Sequence, residues 1–314
     1  MGLAAEILKG DTRAAARLIS LMADDAPGAA EELAELYSHS GKAYVLGVTG
    51  APGVGKSTLT DCLIGYFRKQ NYTIGVIAID PTSMLTGGAL LGDRVRMQRH
   101  AADKNVFIRS LATRGWTGGL AKAALGSVRV MDALGKDLVI IETVGSGQVE
   151  IDIVKAADTT LLVLAPGAGD EIQAMKAGII ESADVIAINK ADKEGAERLK
   201  NDLETMLDRK PRGDWLPPIV LTQAVNDKGI DALGEVIIKH RDFLQNTGEL
   251  SKRRRERARL ELMEAIESDI KDLIQSMDGE QALEKLVDAL QNGKTNPRSA
   301  AGEILKRIVK KEEH

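Results

Sequence analysis

Residues 50–57 read Gly-Ala-Pro-Gly-Val-Gly-Lys-Ser, directly after the apolar run Tyr44-Val45-Leu46-Gly47-Val48. A buried strand that feeds a glycine-rich turn and then a helix points backbone N–H groups at one spot, where an anion can sit. Gly50, Gly53 and Gly55 let the backbone curl around that anion with no Cβ in the way. Lys56 supplies a point charge for β and γ phosphates, and Ser57 a hydroxyl for Mg²⁺. Gly53, Val54, Gly55, Lys56, Ser57 and Thr58 are therefore the expected phosphate contacts, and Lys56 is also a catalytic candidate.

The chain has 314 residues, of which 44% are hydrophobic but only 3% aromatic. Its core must be aliphatic and alanine-rich, which suits a parallel sheet covered by helices. A net charge of −4 gives no general attraction to nucleic acid. A single cysteine, Cys62, excludes an internal disulfide framework. No apolar run reaches about 18 residues and no signal-peptide pattern opens the chain. The expectation is a soluble cytoplasmic protein with neither a membrane nor a nucleic-acid partner.

Three regions differ in pattern. Residues 1–43 read as a helical arm: Asp11 can cap a helix carrying Leu18, Ile19, Leu21 and Met22, and Pro27-Gly28 separates it from a second with Leu33, Leu36 and Tyr37. Residues 44–245 alternate strand and helix, with apolar strand candidates at 44–49, 74–79, 106–109, 138–141, 159–165, 185–188 and 218–221. Continuous apolar runs joined by helices imply an α/β, doubly wound, mostly parallel sheet, with ligands beyond the carboxyl ends of its strands. Residues 246–314 read as a helical extension. It opens with the basic run 251–257, taken as a solvated helix start. Met263, Ile266, Ile270, Leu273 and Met277 follow at steps of three and four, a seam suited either to the parent domain or to a second copy. Gly279 is the expected end of that helix, and Asn296-Pro297 opens the last one.

The string Asn189-Lys190-Ala191-Asp192 follows the apolar run 185–188. Placed at a strand end, Asp192 accepts hydrogen bonds from the ring N–H and exocyclic amine of guanine. Adenine offers neither, so discrimination on the order of 10⁴-fold is attainable. Asn189 and the stem of Lys190 brace the loops around the base. Thr222-Gln223-Ala224, after the last strand, offers backbone N–H groups of Gln223 and Ala224 to the guanine carbonyl.

Carboxylates fall where a Mg²⁺ bridging β and γ phosphates needs them: Asp80 after the strand 74–79, Asp93 in Gly92-Asp93-Arg94, and Glu142 after 138–141. With Ser57 these form the expected metal site. Each also reads as an ordinary cap or turn residue. Glu142-Thr143-Val144-Gly145 has the form of a loop that senses the γ-phosphate, with the Gly145 N–H as donor. Arg94 and Arg96 can offset developing charge there, or stand as surface arginines. Ser146 occupies the place after that glycine where many GTPases carry glutamine, and Gln148 lies two further on, so the water-positioning residue stays unassigned.

Taken together, these motifs resemble the metallochaperone-type P-loop GTPases of the MeaB/ArgK family. The resemblance is carried by Gly50–Thr58, Asp80-Pro81-Thr82-Ser83, Gly87-Gly88, Gly92–Met97, Glu142–Gln148, Pro166–Glu171 and Asn189–Asp192. It implies GTP and GDP as ligands with Mg²⁺. It further implies GTP hydrolysis coupled to the loading, protection or repair of adenosylcobalamin on an acyl-CoA mutase, methylmalonyl-CoA mutase above all. It implies a homodimer joined through C-terminal helices, a mobile loop over Pro166–Lys176, and Ser57, Asp80, Asp93 and Glu142 as the metal set. Departures are Ser146 and Val149, which stand in place of Val and Ser, Thr82 in place of Ser, and Gln223 inside the usual Thr-Ser-Ala. Three other readings stay open. A nickel-delivery GTPase would need ligand clusters, yet His39, His100, His240 and His314 are scattered and only one cysteine exists. A kinase linked to amino-acid transport lacks an identifiable acceptor-positioning base. A nucleotide-dependent assembly factor with negligible hydrolysis is the third.

Overall fold

The computed structural model describes residues 2–80, 98–100, 102–112, 119–143, 156–167, 177–208, 215–276 and 279–312. Seven strands form one sheet: β1 (Tyr44–Thr49), β2 (Ile74–Asp80), β3 (Val106–Ala112), β4 (Leu138–Glu142), β5 (Thr159–Leu164), β6 (Val185–Ile188) and β7 (Ile219–Leu221). The order across the sheet is β3-β2-β4-β1-β5-β6-β7 and every pairing is parallel. This is the doubly wound α/β architecture expected from the apolar runs. Strands buried on both faces cannot alternate polar with apolar, so β1, β4, β5 and β6 are buried along their whole length. The chain steps to one side of β1 for β2 to β4 and to the other for β5 to β7. The phosphate loop after β1 therefore opens at the point where the winding reverses, where a crevice forms.

Helices α4 (Lys56–Lys69) and α8 (Ile230–Thr247) cover one face. Leu59, Leu63 and Phe67 of the first, and Leu233 and Ile237 of the second, pack on Leu46, Val48, Ile140, Leu161 and Val163. The other face is covered by α5 (Gly119–Ala133) and by the amino-terminal helices α1 (Leu3–Ile7), α2 (Thr12–Ala23) and α3 (Ala29–Tyr37). Ile7, Leu18, Ile19 and Leu36 are fully buried in that cluster beside Val45, Ile77, Val139 and Ile141, so these helices complete the core. The Asp11 carboxylate accepts from the N–H groups of Arg13 (2.7 Å) and Ala14 (3.1 Å), capping α2. Helices α6 (Ala177–Ser182) and α7 (Ala196–Asp208) follow β5 and β6; Ile180, Leu203 and Leu207 pack on Leu162, Leu164, Ile186 and Ile188.

The described chain divides into two compact units, Met1–Arg255 and Glu256–His314, and the division falls inside the long helix α9 (Glu249–Ser276). The second unit continues with α10 (Gly279–Gln291) and α11 (Pro297–Glu312). Gly279, the expected end of α9, instead opens α10. Asn296 caps α11 through the Ser299 N–H at 3.0 Å, with Pro297 at the first helical position. Leu262, Met263 and Ile266 on α9 are exposed, as are Leu283 and Val287 on α10. No helix among the described residues is long and apolar enough to cross a membrane.

The basic run departs from its expected solvated role. Arg253 forks onto Asp184 with two hydrogen bonds of 2.8 Å and donates a third to the Asp158 carbonyl. Arg254 donates to the carbonyls of Gly41 and Ala43 and pairs with Asp158 at 3.2 Å. Asp158 and Asp184 are buried at the amino ends of β5 and β6, where they also accept the N–H groups of Val45 and Thr160. A buried carboxylate needs such donors, and the guanidinium fork supplies them in matching geometry. His240 completes the cluster. Its Nδ1 lies 2.6 Å from Thr159 Oγ1, which in turn meets the Tyr44 hydroxyl, and its ring packs on Trp215 at 4.7 Å.

Burial pushes the His240 imidazole down to about 4; Asp184 raises it and Arg253 lowers it further. The unfolded chain therefore binds the extra proton between about pH 6.5 and about pH 4, and stability falls as pH drops through that window. The loss is on the order of 3 kcal/mol. Denaturant melts at stepped pH should show this slope in the native chain and a shallower one in His240→Gln; identical slopes would contradict it.

Candidate nucleotide-binding site

The carboxyl ends of β1, β4, β6 and β7 bring four of the sequence motifs together. The turn after β1 runs against its neighbours. Gly50 has φ +145°, and a Cβ there would drive into the Val163 carbonyl of β5. Gly55 has φ +96° and caps α4 in the left-handed region, and a Cβ there would strike the Asn189 amide. Val54 buries its side chain in the core, so only its backbone faces the turn, while Thr58 is half-buried in the first turn of α4. Lys56 is buried, and its Nζ donates to the carbonyls of Gly50 (2.6 Å) and Ala51 (2.9 Å), which holds the ammonium at the loop.

Asn189 is the junction of the site. Its Nδ2 donates to the Val54 carbonyl at 2.9 Å, and its Oδ1 accepts from the Ala224 N–H at 3.0 Å and from Thr222 Oγ1 at 3.3 Å. One buried amide thus joins the phosphate loop, the end of β6 and the turn after β7. Lys190 adopts φ +57° and its Nζ donates to the Gly53 carbonyl at 2.6 Å, a second strut between the same loops. Asp192 is exposed, and among the described residues its carboxylate has no hydrogen-bond partner.

The N–H groups expected to face the guanine carbonyl are used inside the protein. That of Ala224 goes to Asn189, and that of Gln223 to the Lys228 carbonyl at 3.0 Å. In this structure the two residues hold Asn189 and the turn in place, a role sequence spacing does not reveal because the acceptors come from distant segments. Cys62 on α4 fastens the same turn by donating to the Ala224 carbonyl at 3.2 Å; burial pushes its thiol up to about 12.

Ser57 Oγ donates to Glu142 Oε1 at 2.5 Å. Glu142 ends β4, in register with Val48 of β1 and Ala78 of β2, so the ladder itself delivers the carboxylate to the start of α4. A hydroxyl and a carboxylate at this spacing fit Mg²⁺, a hard cation that takes one or two protein oxygens and fills its remaining positions with phosphate and water. Among the described residues no group of three or more His, Cys, Asp or Glu could hold a metal ion. Asp80 ends β2, in register with Ala112, but its side chain lies outside the described residues. Asp93, Arg96 and Gly145 also lie outside them, as do Thr82, Arg94, Ser146, Gln148, Val149 and Lys176. One ion pair, between a buried acid and an exposed arginine, has no counterpart in the motifs. Asp61, one turn after Ser57 on α4, meets Arg99 and lies beside His100. Its only sequence signal is a carboxylate within an otherwise apolar helix face.

The family model for the methylmalonyl Co-A mutase-associated GTPase MeaB matches residues 15–279. The chain belongs to the MeaB family. A Pyrococcus abyssi relative described as a GTPase is 48% identical over 305 residues, covering 96% of this chain and 94% of that protein. The GTPase ArgK of Escherichia coli is 31% identical over 272 residues, 85% of this chain and 82% of ArgK. A crystal structure of a LAO/AO transport system kinase shares the fold, with a TM-score of 0.69 at 24% identity over 98% of this chain and 96% of that one. The phosphate loop, Glu142 and Asn189–Asp192 all lie within the MeaB match.

The junction at Asn189 generates a prediction. Replacing the amide by Ala strands the Val54 carbonyl and the Ala224 N–H together, at about 0.5–1.5 kcal/mol for each lost bond. Asn189→Ala should weaken guanine-nucleotide affinity about 10- to 100-fold in equilibrium titration while the chain remains folded by circular dichroism. Undiminished affinity would show that the junction does not shape the site.

Proposed function

We propose that this MeaB-family chain is a Mg²⁺-dependent GTPase whose nucleotide state governs its attachment to an adenosylcobalamin-dependent acyl-CoA mutase, methylmalonyl-CoA mutase first among them. The observation that carries the reading is the contact of Ser57 Oγ with Glu142 Oε1 at the head of α4. It ties the helix that begins at the phosphate loop to the segment that leaves β4. The Ser57 hydroxyl and the Glu142 carboxylate would both turn to a Mg²⁺ held by the β and γ phosphates, so loss of the γ-phosphate would be felt at Glu142 and in the residues that follow it. Family membership supports the nucleotide and, through the family's own description, the mutase.

In this reading the N–H groups of residues 53–58 and the Lys56 ammonium hold the β and γ phosphates and offset their charge. Ser57 and Glu142, with Asp80 and Asp93 by family resemblance, hold Mg²⁺, which supplies charge neutralisation of the phosphates. Asp192 reads guanine through two N–H donors, and Asn189 and Lys190 keep its loop in register with the phosphate loop. Gly145 and Arg96 are proposed to face the γ-phosphate. The unpartnered apolar residues of the second unit, Leu262, Met263 and Ile266 among them, are proposed to be covered by a second copy of the chain.

The test couples chemistry to partner. Phosphate release from GTP in Mg²⁺ should be slow and should fall at least tenfold in Glu142→Ala, with GDP still bound. A pull-down from lysate with a non-hydrolysable GTP analogue, and separately with GDP, should recover the mutase in unequal amounts, and light scattering should give twice the chain mass. Full turnover in Glu142→Ala defeats the metal assignment, and a captured set without a mutase in either state defeats the chaperone reading. A monomer defeats the dimer.

A further inference from the structure

At the opposite edge of the sheet, beyond the amino ends of the strands, the first unit holds an open cleft of about 600 Å³. It shares no residue with the nucleotide site. Its walls are the residues that lead into β1, the turns after α4 and α5, the outer half of α8 and the start of α9. The volume falls in the range of small-molecule sites.

The cleft is cationic in a way the net charge of the chain conceals. Lys42, Lys136, Arg241 and Arg254 line it against two acids, Asp132 and Asp137. Both acids are engaged within the fold. Asp132 accepts the N–H groups of Gly41, Lys42 and Ala43, at 2.5 Å, 3.0 Å and 3.0 Å. Asp137 accepts the N–H and hydroxyl of Thr73, at 2.8 Å and 2.7 Å. The cations are less fully matched. Lys42 is exposed with no side-chain partner among the described residues. Lys136 is buried, its ammonium donating to the Asn105 carbonyl at 3.2 Å and to nothing else among the described residues, and burial depresses its pKa. Arg254 Nε is buried with no acceptor among the described residues, although the rest of its guanidinium is bonded. Arg241 is held by Asp242, which does not line the cleft, and by the Tyr72 hydroxyl at 2.5 Å. A buried ammonium with one neutral acceptor, as at Lys136, and a buried Nε, as at Arg254, have lost solvation that an anion would replace.

We infer that this cleft binds a small phosphorylated metabolite, its phosphate held by Lys42, Arg241 and the buried Lys136, and its apolar part against Leu8 and Leu250. An oxyanion with several acceptor oxygens satisfies a lysine and a guanidinium at once, which a monovalent halide does not. The site is independent of the nucleotide reading, since none of its residues touches the phosphate loop.

The experiment keeps the two sites apart. Full-length chain saturated with Mg-GDP is titrated calorimetrically with inorganic phosphate, with pyrophosphate, and with chloride at matched ionic strength. If the chain does not take GDP, the titration is run on Lys56→Ala, which removes the charge at the phosphate loop. One saturable site per chain is expected for phosphate and pyrophosphate and none for chloride. Lys42→Ala, an exposed change that leaves the fold intact, should weaken it at least fivefold, and Lys42→Arg should restore it. Arg241→Gln should weaken it about tenfold, judged only where its melting curve matches the parent. Absence of saturation in the millimolar range, equal binding of chloride, or affinity indifferent to Lys42→Ala would each overturn the proposal.

Discussion

One buried amide holds the nucleotide end of this molecule in shape. Asn189 reaches from β6 to the Val54 carbonyl on one side and to the Ala224 N–H on the other. The glycine at 55 exists in that conformation because any side chain there would collide with the same amide. The phosphate loop and the base-reading segment are thus one object, tightened at a single residue. Order built in before a ligand arrives lowers the entropy lost on binding, and this is how a few short loops can hold a nucleotide firmly.

The two edges of the sheet solve different problems with similar chemistry. At the carboxyl edge, Lys56 donates to the Gly50 and Ala51 carbonyls and Ser57 to Glu142. At the amino edge, Asp158 and Asp184 are satisfied permanently by Arg253, Arg254 and strand N–H groups, and a neutral His240 sits among them. In the proposed reading the first set receives an external ligand, while the second is closed on itself. Rigidity at the amino edge fixes strand register, and register delivers Glu142 to Ser57.

Much of the architecture was legible because its signals are local. Seven largely apolar runs became seven strands, most plainly β1, β4, β5 and β6, where burial on both faces rules out alternation of polar with apolar. Asp11 and Asn296 capped helices through bonds spanning two or three residues, within reach of pattern reading. The clamp was not legible. Asp158, Asp184, His240 and Arg253 come from four separate segments, and a basic run carries no mark that Arg253 and Arg254 turn inward. The partners of Gln223 and Ala224 were hidden for the same reason. Their N–H groups were assigned outward on local grounds, but their acceptors, Asn189 Oδ1 and the Lys228 carbonyl, are set by tertiary structure. The Ser57–Glu142 contact lies closer to pattern reading, because a strand end and a helix start each carry a local signal.

The account stands on selective capture of a guanine nucleotide at the carboxyl edge. Titration calorimetry of the full chain with Mg-GDP and with Mg-ADP addresses it most directly. The account predicts one GDP site per chain, with ADP at least a thousandfold weaker, on the scale that paired polar recognition allows. In Asp192→Asn most of that preference should vanish while phosphate contacts persist. Equal affinity for the two nucleotides, or no heat with either, would contradict it.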